Sequence, residues 1–262
     1  MIETNKIYQC DVLEGLKQLP DNSIDVIITS PPYNKMGLSG KMNTPNWLKS
    51  NILYGSSSIC RKTIDYNDDA NVDNMPEDKY QQWQLEILNE CYRVLKPKGS
   101  MFYNHKNRIV RAQGKISTPY EWLLKTNFNI RQEIIWDRKS SPNVHNSRYL
   151  PTTEKIFWLT KTVRPSFIRN NDIEWKGEVW QIPFETSTAH PAPYPLALPD
   201  NILKCIPNPD GDKIVLDVFM GSGTTAIAAI KNGWKYIGFE LFQEYVEMSE
   251  KRIMKYMHDK YL

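Results

Sequence analysis

The chain has little that would assign it a class outright. Its four cysteines, Cys10, Cys60, Cys91 and Cys205, include no Cys-x-x-Cys pair and no metal-ligand spacing, which excludes a disulfide framework or a cysteine-built metal site. No apolar stretch approaches the roughly 20 residues that span a bilayer, so a membrane helix is excluded. The first residues lack the basic, apolar and small-residue order of a secretory signal. An untargeted cytoplasmic protein with reduced thiols is the expectation. Charge of one sign is scarce too: 33 Lys and Arg face 30 Asp and Glu, a formal net of +3. A broadly basic binding surface is thereby excluded, and any basic region must be local. Internal repeats and low-complexity segments are absent.

What the chain does have is alternation of strand and helix patterns. Its 262 residues suffice for one substantial core. Lys6 to Cys10 reads as a strand, Val12 to Leu19 as a helix, and Ile24 to Thr29 as an apolar strand. This βαβ unit predicts an α/β domain with a mostly parallel, doubly wound sheet. A helix from Glu77 to about Leu95 follows, with Tyr80, Trp83, Ile87, Leu88, Cys91 and Leu95 at helical spacing. Lys96-Pro97-Lys98-Gly99 reads as its terminating turn and Ser100 to Asn104 as the next strand. A helix near Tyr120 to Lys125 precedes strands at Ile130 to Trp136 and Lys155 to Thr160. The closing section reads as helix Pro199 to Lys204, strand Ile214 to Val218, helix Thr224 to Lys231, strand Lys235 to Phe239, and a last helix from Gln243.

Residues 35–76 are polar and aperiodic, either a flap over a site or a solvated loop. The stretch from Arg138 to Arg148 is basic and amide-rich. It suits phosphate and base-edge contacts, or else forms a solvated hairpin loop. Residues 162–189 read as irregular, with Arg164, Arg169, Trp175 and Trp180.

Two motifs carry chemistry. Ser30-Pro31-Pro32-Tyr33 directly follows the strand ending at Thr29, where open α/β sheets place their ligands. Far downstream stands Asp217-Val218-Phe219-Met220-Gly221-Ser222-Gly223-Thr224, a strand end running into a glycine loop and a helix, and Glu240 ends the following strand. Glycines in such a loop let the backbone approach a nucleoside ligand, and an acidic side chain about 20 residues on suits ribose hydroxyls. A phosphate-binding P-loop is excluded because Gly223 is followed by Thr224 where that motif has Lys.

Together these motifs resemble the amino-methylating DNA methyltransferases of the N4-cytosine and N6-adenine kind, over nearly the whole chain. With the catalytic motif first and the cofactor motif second, the order resembles their permuted beta group. The resemblance implies a Rossmann-like methyltransferase fold comprising residues 1–262 as one catalytic domain, with DNA-recognition elements within residues 138–189. It implies S-adenosylmethionine as cofactor, duplex DNA as substrate, a homodimer by family habit, and a cognate restriction endonuclease as functional partner. The cofactor residues it implies are Asp217, Phe219, Gly221, Ser222, Gly223, Thr224, Glu240 and Asp11. For Asp11 a helix N-cap is the alternative. The run from His190 to Pro199 resembles the family segment that closes over the methionine end of the cofactor.

An exocyclic amine is a poor nucleophile because its lone pair is delocalised into the ring. The Ser30 hydroxyl and the Pro31 carbonyl, stiffened by Pro31-Pro32, are acceptors that would localise it. Tyr33 offers a ring for the extruded base. Ring-carbon methylation is excluded, since its motif is Pro-Cys and no cysteine here follows a proline. In the family that the chain resembles, Ser-Pro-Pro-Tyr leans towards N4 of cytosine, and the resemblance implies that base, with N6 of adenine the alternative. An RNA amino-methyltransferase and a catalytically silent DNA-binding protein are the rival readings. His105 reads as a surface or core-edge histidine in preference to a general base.

Overall fold

The computed structural model describes residues 2–34, 75–110, 115–141, 149–183, 194–208 and 211–260. The stretch 35–76, read as a flap or a solvated loop, thus lies outside the described residues except for Met75 and Pro76.

The first unit is β1 (Lys6–Gln9), α1 (Val12–Lys17) and β2 (Ile24–Thr29). Asp11 accepts from the amides of Leu13 and Glu14 at 2.8 and 3.4 Å and so starts α1 as its N-cap. The helix lies close on the sheet because Gly15 faces the Phe239 ring, where an added Cβ would sit 2.8 Å from ring atoms. In β2, Ile24, Val26, Ile27 and Ile28 are all buried, as a strand covered on both faces requires.

Then follow α2 (Glu77–Val94), β3 (Leu95–His105), the hairpin β4 (Arg108–Val110) and β5 (Lys115–Ser117), and α3 (Tyr120–Leu123). Next are β6 (Asn129–Asp137), β7 (Thr153–Thr160) and β8 (Val179–Gln181). The chain closes with α4 (Ala197–Leu203), β9 (Ile214–Asp217), α5 (Thr224–Lys231), β10 (Lys235–Glu240) and α6 (Gln243–Lys260).

Eight strands form one sheet in the order β1-β10-β9-β2-β3-β7-β6-β8. From β1 to β3 every neighbouring pair is parallel, whereas β7 is antiparallel to both β3 and β6, and β8 is parallel to β6. Side chains alternate between two cores. Val26, Ile28, Phe102 and Val215 pack with α4, α5 and α6, while Ile27, Met101 and Leu216 pack with α1, α2 and α3. This is the expected Rossmann-like, mostly parallel doubly wound sheet.

Three local expectations needed correction. The residues read as a turn after α2 belong to β3: Ile24 pairs with Leu95 and Val26 with Ser100, so residues 96–99 bulge out of register without ending the strand. Pro199 lies inside the first turn of α4 instead of opening it, a position that needs no amide hydrogen. The β4–β5 hairpin and β8 were not expected, and each has only three residues, too few for a period to register.

Chain direction changes at one place. From β2 the chain crosses α2 to β3 on one side, and from β9 it crosses α5 to β10 on the other. The adjacent carboxyl ends of β2 and β9 therefore flank a topological switch point, where open α/β sheets bind ligands.

Candidate active site

Ser30 leaves the end of β2 into a cluster of polar side chains. Ser30 Oγ lies 3.1 Å from Tyr33 Oη, which donates to Glu154 Oε2 at 2.9 Å. Asn104 Nδ2, near the end of β3, donates to Tyr33 Oη at 2.8 Å and lies 3.2 Å from both Ser30 Oγ and Glu154 Oε2. Its other atom, Oδ1, is buried and has no hydrogen-bond partner among the described residues. The other Glu154 oxygen faces Arg138 Nη1 at 3.2 Å and Lys106 Nζ at 3.7 Å. Burial first, and then the Glu154 carboxylate, push the Tyr33 hydroxyl far above its ordinary range, so it stays protonated. The Tyr33 ring is 8% exposed, with the His105 ring 4.7 Å away and Lys106 Nζ 5.1 Å from its centre. A base stacking on it requires that lysine to withdraw.

His105 is fully buried, which corrects the expected surface or core-edge position. Tyr80 Oη donates its one hydrogen to the Pro32 carbonyl at 2.7 Å, so the 2.8 Å contact with His105 Nε2 has the imidazole donating. Nδ1 then accepts from the Lys106 amide at 2.8 Å. Burial first, then the nearby Arg108, hold its pKa well below the usual histidine range. The ring is neutral, both nitrogens are engaged, and no lone pair remains for a general base. Its contribution is to brace Tyr80, which in turn fixes the backbone of the Pro-Pro turn.

Asp217 ends β9 at full burial. One oxygen accepts from Thr29 Oγ1 at 2.8 Å and the Phe219 amide at 3.1 Å; the other accepts from Thr225 Oγ1 at 2.5 Å and Tyr194 Oη at 3.1 Å. Tyr194 Oη and Thr225 Oγ1 are also in contact; with one hydrogen each, both given to Asp217, they make no further hydrogen bond there. Thr29 directly precedes Ser30, so this carboxylate ties the two motifs together. Burial pushes its pKa up against those hydrogen bonds. Glu240, at the end of β10, accepts from the Gly221 amide at 2.8 Å and the Phe242 amide at 3.1 Å, and burial likewise raises it.

Gly221 and Gly223 adopt positive φ of 52° and 80°, as the tight loop requires. The hydroxyls of Ser222 and Thr224 face α6, where Arg252 Nη1 donates to Ser222 Oγ at 2.6 Å and lies 3.3 Å from Thr224 Oγ1. Both hydroxyls are thus engaged within the fold by α6. The half-exposed Phe219 meets the Trp83 ring edge-on at 5.7 Å. Asp11 stands past the end of β1 beside Glu240 and is used as the N-cap.

Chemically, the loop presents two carboxylates and an amide already engaged by one of them. Such a loop repels phosphate and suits a cationic ligand with hydroxyl groups. A small apolar cavity is lined by Ile28, Ser30, Asn104, Ile156, Tyr194 and Leu198.

Sequence reasoning missed Asn104, Glu154 and Tyr194 as site residues. Glu154 reaches Tyr33 across 121 positions only because β7 runs antiparallel to β3, and no spacing signals that. Tyr194 stood inside a segment singled out for its position, of which residues 190–193 lie outside the described residues. Antiparallel strands also sort the expected recognition stretches. The β6–β7 connection begins and ends at the site end of the sheet, where Asp137 pairs with Thr153. Arg164 and Arg169 instead follow β7 at the opposite end, where the Ser166 amide donates to Lys98 O at 2.9 Å and Thr160 pairs with Ser100. Trp180 is buried and Trp175 packs on the core.

Residues 24–251 match the family described as DNA methylase, the N6/N4 methyltransferases. Among curated relatives, the type II methyltransferase M.BglII of Bacillus subtilis is 28% identical over 94% of this chain and 68% of its own length. The DNA adenine methyltransferase YhdJ of Escherichia coli strain K12 is 28% identical over 96% of this chain and 83% of its own. Among solved structures, the PvuII DNA methyltransferase (cytosine-N4-specific) superposes with TM-score 0.71 at 22% identity, covering 98% of this chain and 93% of that one. M1.HpyAVI in complex with SAM superposes with TM-score 0.60 at 24% identity, covering 94% and 98%. At these identities the two structures speak for the fold alone. The family match spans most of the chain: this protein belongs to the N6/N4 DNA methylase family, the DNA methyltransferases that modify exocyclic amines.

Proposed function

We propose that the chain moves a methyl group from S-adenosylmethionine to N4 of a cytosine flipped out of duplex DNA. The observation that carries this reading is the Thr29–Asp217 hydrogen bond, which fixes the Ser30 cluster beside the acid-lined glycine loop. S-adenosylmethionine supplies an electrophilic methyl on a sulfonium when bound. Glu240 and Asp11 stand where ribose and adenine groups would be held, and Asp217 gives the loop its shape and negative character. Ser30 Oγ and the Pro31 carbonyl receive the amine hydrogens, and Pro32 is held for this by Tyr80. Asn104 Oδ1 offers a further acceptor, since a buried carbonyl left unpaired costs about 1–3 kcal/mol. Holding amine and methyl in line supplies most of the rate.

The cytosine assignment rests on serine at position 30. N6 of adenine is the second reading, favoured by the likeness to an adenine methyltransferase. We further propose one catalytic domain over residues 1–262, with DNA recognition within residues 138–189, by way of the β6–β7 connection, whose described ends lie at the site end, and the segment that follows β8. Relatives named as type II methyltransferases support a cognate restriction endonuclease as functional partner. Family habit supports a homodimer, and cysteines without pairing or metal-ligand spacing support a cytoplasmic location. Among the described residues no helix is long and apolar enough to cross a membrane.

The test is transfer of labelled methyl to duplex DNA, followed by nucleoside analysis of the digest. N4-methylcytosine is expected, falling on the order of 10²-fold with Ser30→Ala, the scale of a lost site hydrogen bond. N6-methyladenine would overturn the base, and transfer to RNA alone would overturn the substrate.

A further inference from the structure

Among the described residues Glu154 is the one acid in the Ser30 cluster, and it lies outside both motifs. It is buried, which carboxylates tolerate only when paired. The groups facing it come from four places. Lys106 follows β3, Arg138 follows β6, Tyr33 lies on the loop after β2, and Asn104 is within β3; His105 stands behind the Tyr33 ring. Both cations address Oε1, leaving Oε2 to Tyr33 and Asn104.

This arrangement dictates where protons sit. Tyr33 donates to Glu154 Oε2, so its single phenolic hydrogen is committed there. Tyr33 Oη can then meet Ser30 Oγ, 3.1 Å away, only as acceptor, so Ser30 donates inward. Asn104 Nδ2 shares its two hydrogens among Tyr33 Oη at 2.8 Å and Ser30 Oγ and Glu154 Oε2 at 3.2 Å, which turns its Oδ1 away from the carboxylate. Ser30 Oγ also accepts from Asn104 Nδ2 at 3.2 Å, which leaves its second lone pair for an incoming donor. Without the carboxylate nothing prevents the hydroxyl chain from running the other way, with Ser30 presenting its hydrogen to the amine.

We propose that Glu154 is a positioning residue that orients the Ser30–Tyr33 hydroxyl chain and receives the target amine's proton through it. The idea rests on the methyl-transfer reading above. As the amine N–C bond forms, the methyl C–S bond breaks and its electron pair stays on sulfur, leaving a neutral thioether and a cationic amine. One amine proton passes to Ser30 Oγ, the Ser30 hydroxyl proton to Tyr33 Oη, and the Tyr33 proton to Glu154 Oε2. The amine ends neutral, Ser30 and Tyr33 end as hydroxyls, and Glu154 ends as a carboxylic acid.

Glu154→Gln keeps the acceptor and the shape but removes the charge, and Tyr33→Phe removes only the linking hydroxyl. In single-turnover assays on duplex DNA each is expected to lower the methyl-transfer rate by roughly 10²-fold, the scale of a lost proton acceptor. KM for DNA and Kd for S-adenosylmethionine should hold near wild type, and the double variant should be no slower than either single one. Independently of activity, the 19F resonance of 3-fluorotyrosine placed at position 33 should shift on Glu154→Gln in the free protein. Wild-type rates in either variant would overturn the proposal, as would an unmoved resonance. Should Glu154→Gln fail to fold, Tyr33→Phe decides alone. If wild-type protein transfers no methyl to DNA, the functional reading fails, and the 19F shift still reports whether Glu154 orients the chain.

Discussion

Asp217 shows how one side chain can be needed by two motifs. It has no exposure and four hydrogen bonds, from Thr29, Phe219, Thr225 and Tyr194. Burial still disfavours its charge and raises its pKa above the ordinary 3.8. The sign of the linkage follows. Between the unfolded and the raised folded pKa the native state holds more proton than the unfolded chain, so stability falls as pH rises through that window. Glu240 adds in the same direction. Asp217→Asn preserves the shape and lets the amide donate to the Thr225 and Tyr194 hydroxyls. We expect it to flatten the decline in urea-unfolding free energy as pH rises from about 4; an unchanged slope would mean that Asp217 carries no such linkage.

At the level of elements, the glycine loop and α5 are set by backbone conformation as much as by contacts. Gly223 is the N-cap of α5 at φ 80°, and an added Cβ would sit 2.8 Å from Ser249 Cβ in α6. Gly223→Ala therefore combines left-handed strain with overpacking, for an expected loss of about 2–4 kcal/mol by denaturant unfolding. A loss under about 1 kcal/mol would show that α6 yields easily. Gly221 has the same left-handed φ, and its amide is anchored by Glu240, so the loop's orientation depends on the strand end beside it. The role of α2 is to carry Tyr80 to the Pro32 carbonyl and Trp83 to Phe219, and it thereby braces both halves of the site from one face of the sheet.

For the whole molecule, antiparallel β7 and β6 decide which basic residues can meet DNA. Arg138 is turned inward to Glu154 and to the carbonyls of Pro151 and Thr152, while Lys139 is exposed at the site end. Lys139→Ala should weaken DNA binding across all sequences and lower the salt slope by about 1, and Arg164→Ala should change neither, since it lies at the far end of the sheet. Filter binding against salt concentration measures both; equal losses would place the duplex on a different face. Cofactor binding is likewise a property of the assembled sheet, because the loop, Glu240 and Asp11 come from three adjacent strand ends. S-adenosylmethionine at about 100 times its Kd should raise the melting temperature on the order of 5–10 °C. No shift in a thermal scan would argue against the site.

By itself the sequence determined the parallel half of the sheet, both motifs and the glycine loop. There the order of elements follows chain order, β2 is bounded by its own apolar run, and a strand-loop-helix motif carries its geometry within about ten residues. Ser30, Asp217, Gly223 and Glu240 were legible for that reason. Only the tertiary structure decided the cluster around Ser30, the inward turn of Arg138, the engagement of Ser222 and Thr224 by Arg252, and the neutral brace of His105. Each depends on groups brought together by strand pairing or helix packing between distant segments. Such contacts leave no periodic trace in the chain, because they depend on which strand edge is free for β7 and in which direction it runs.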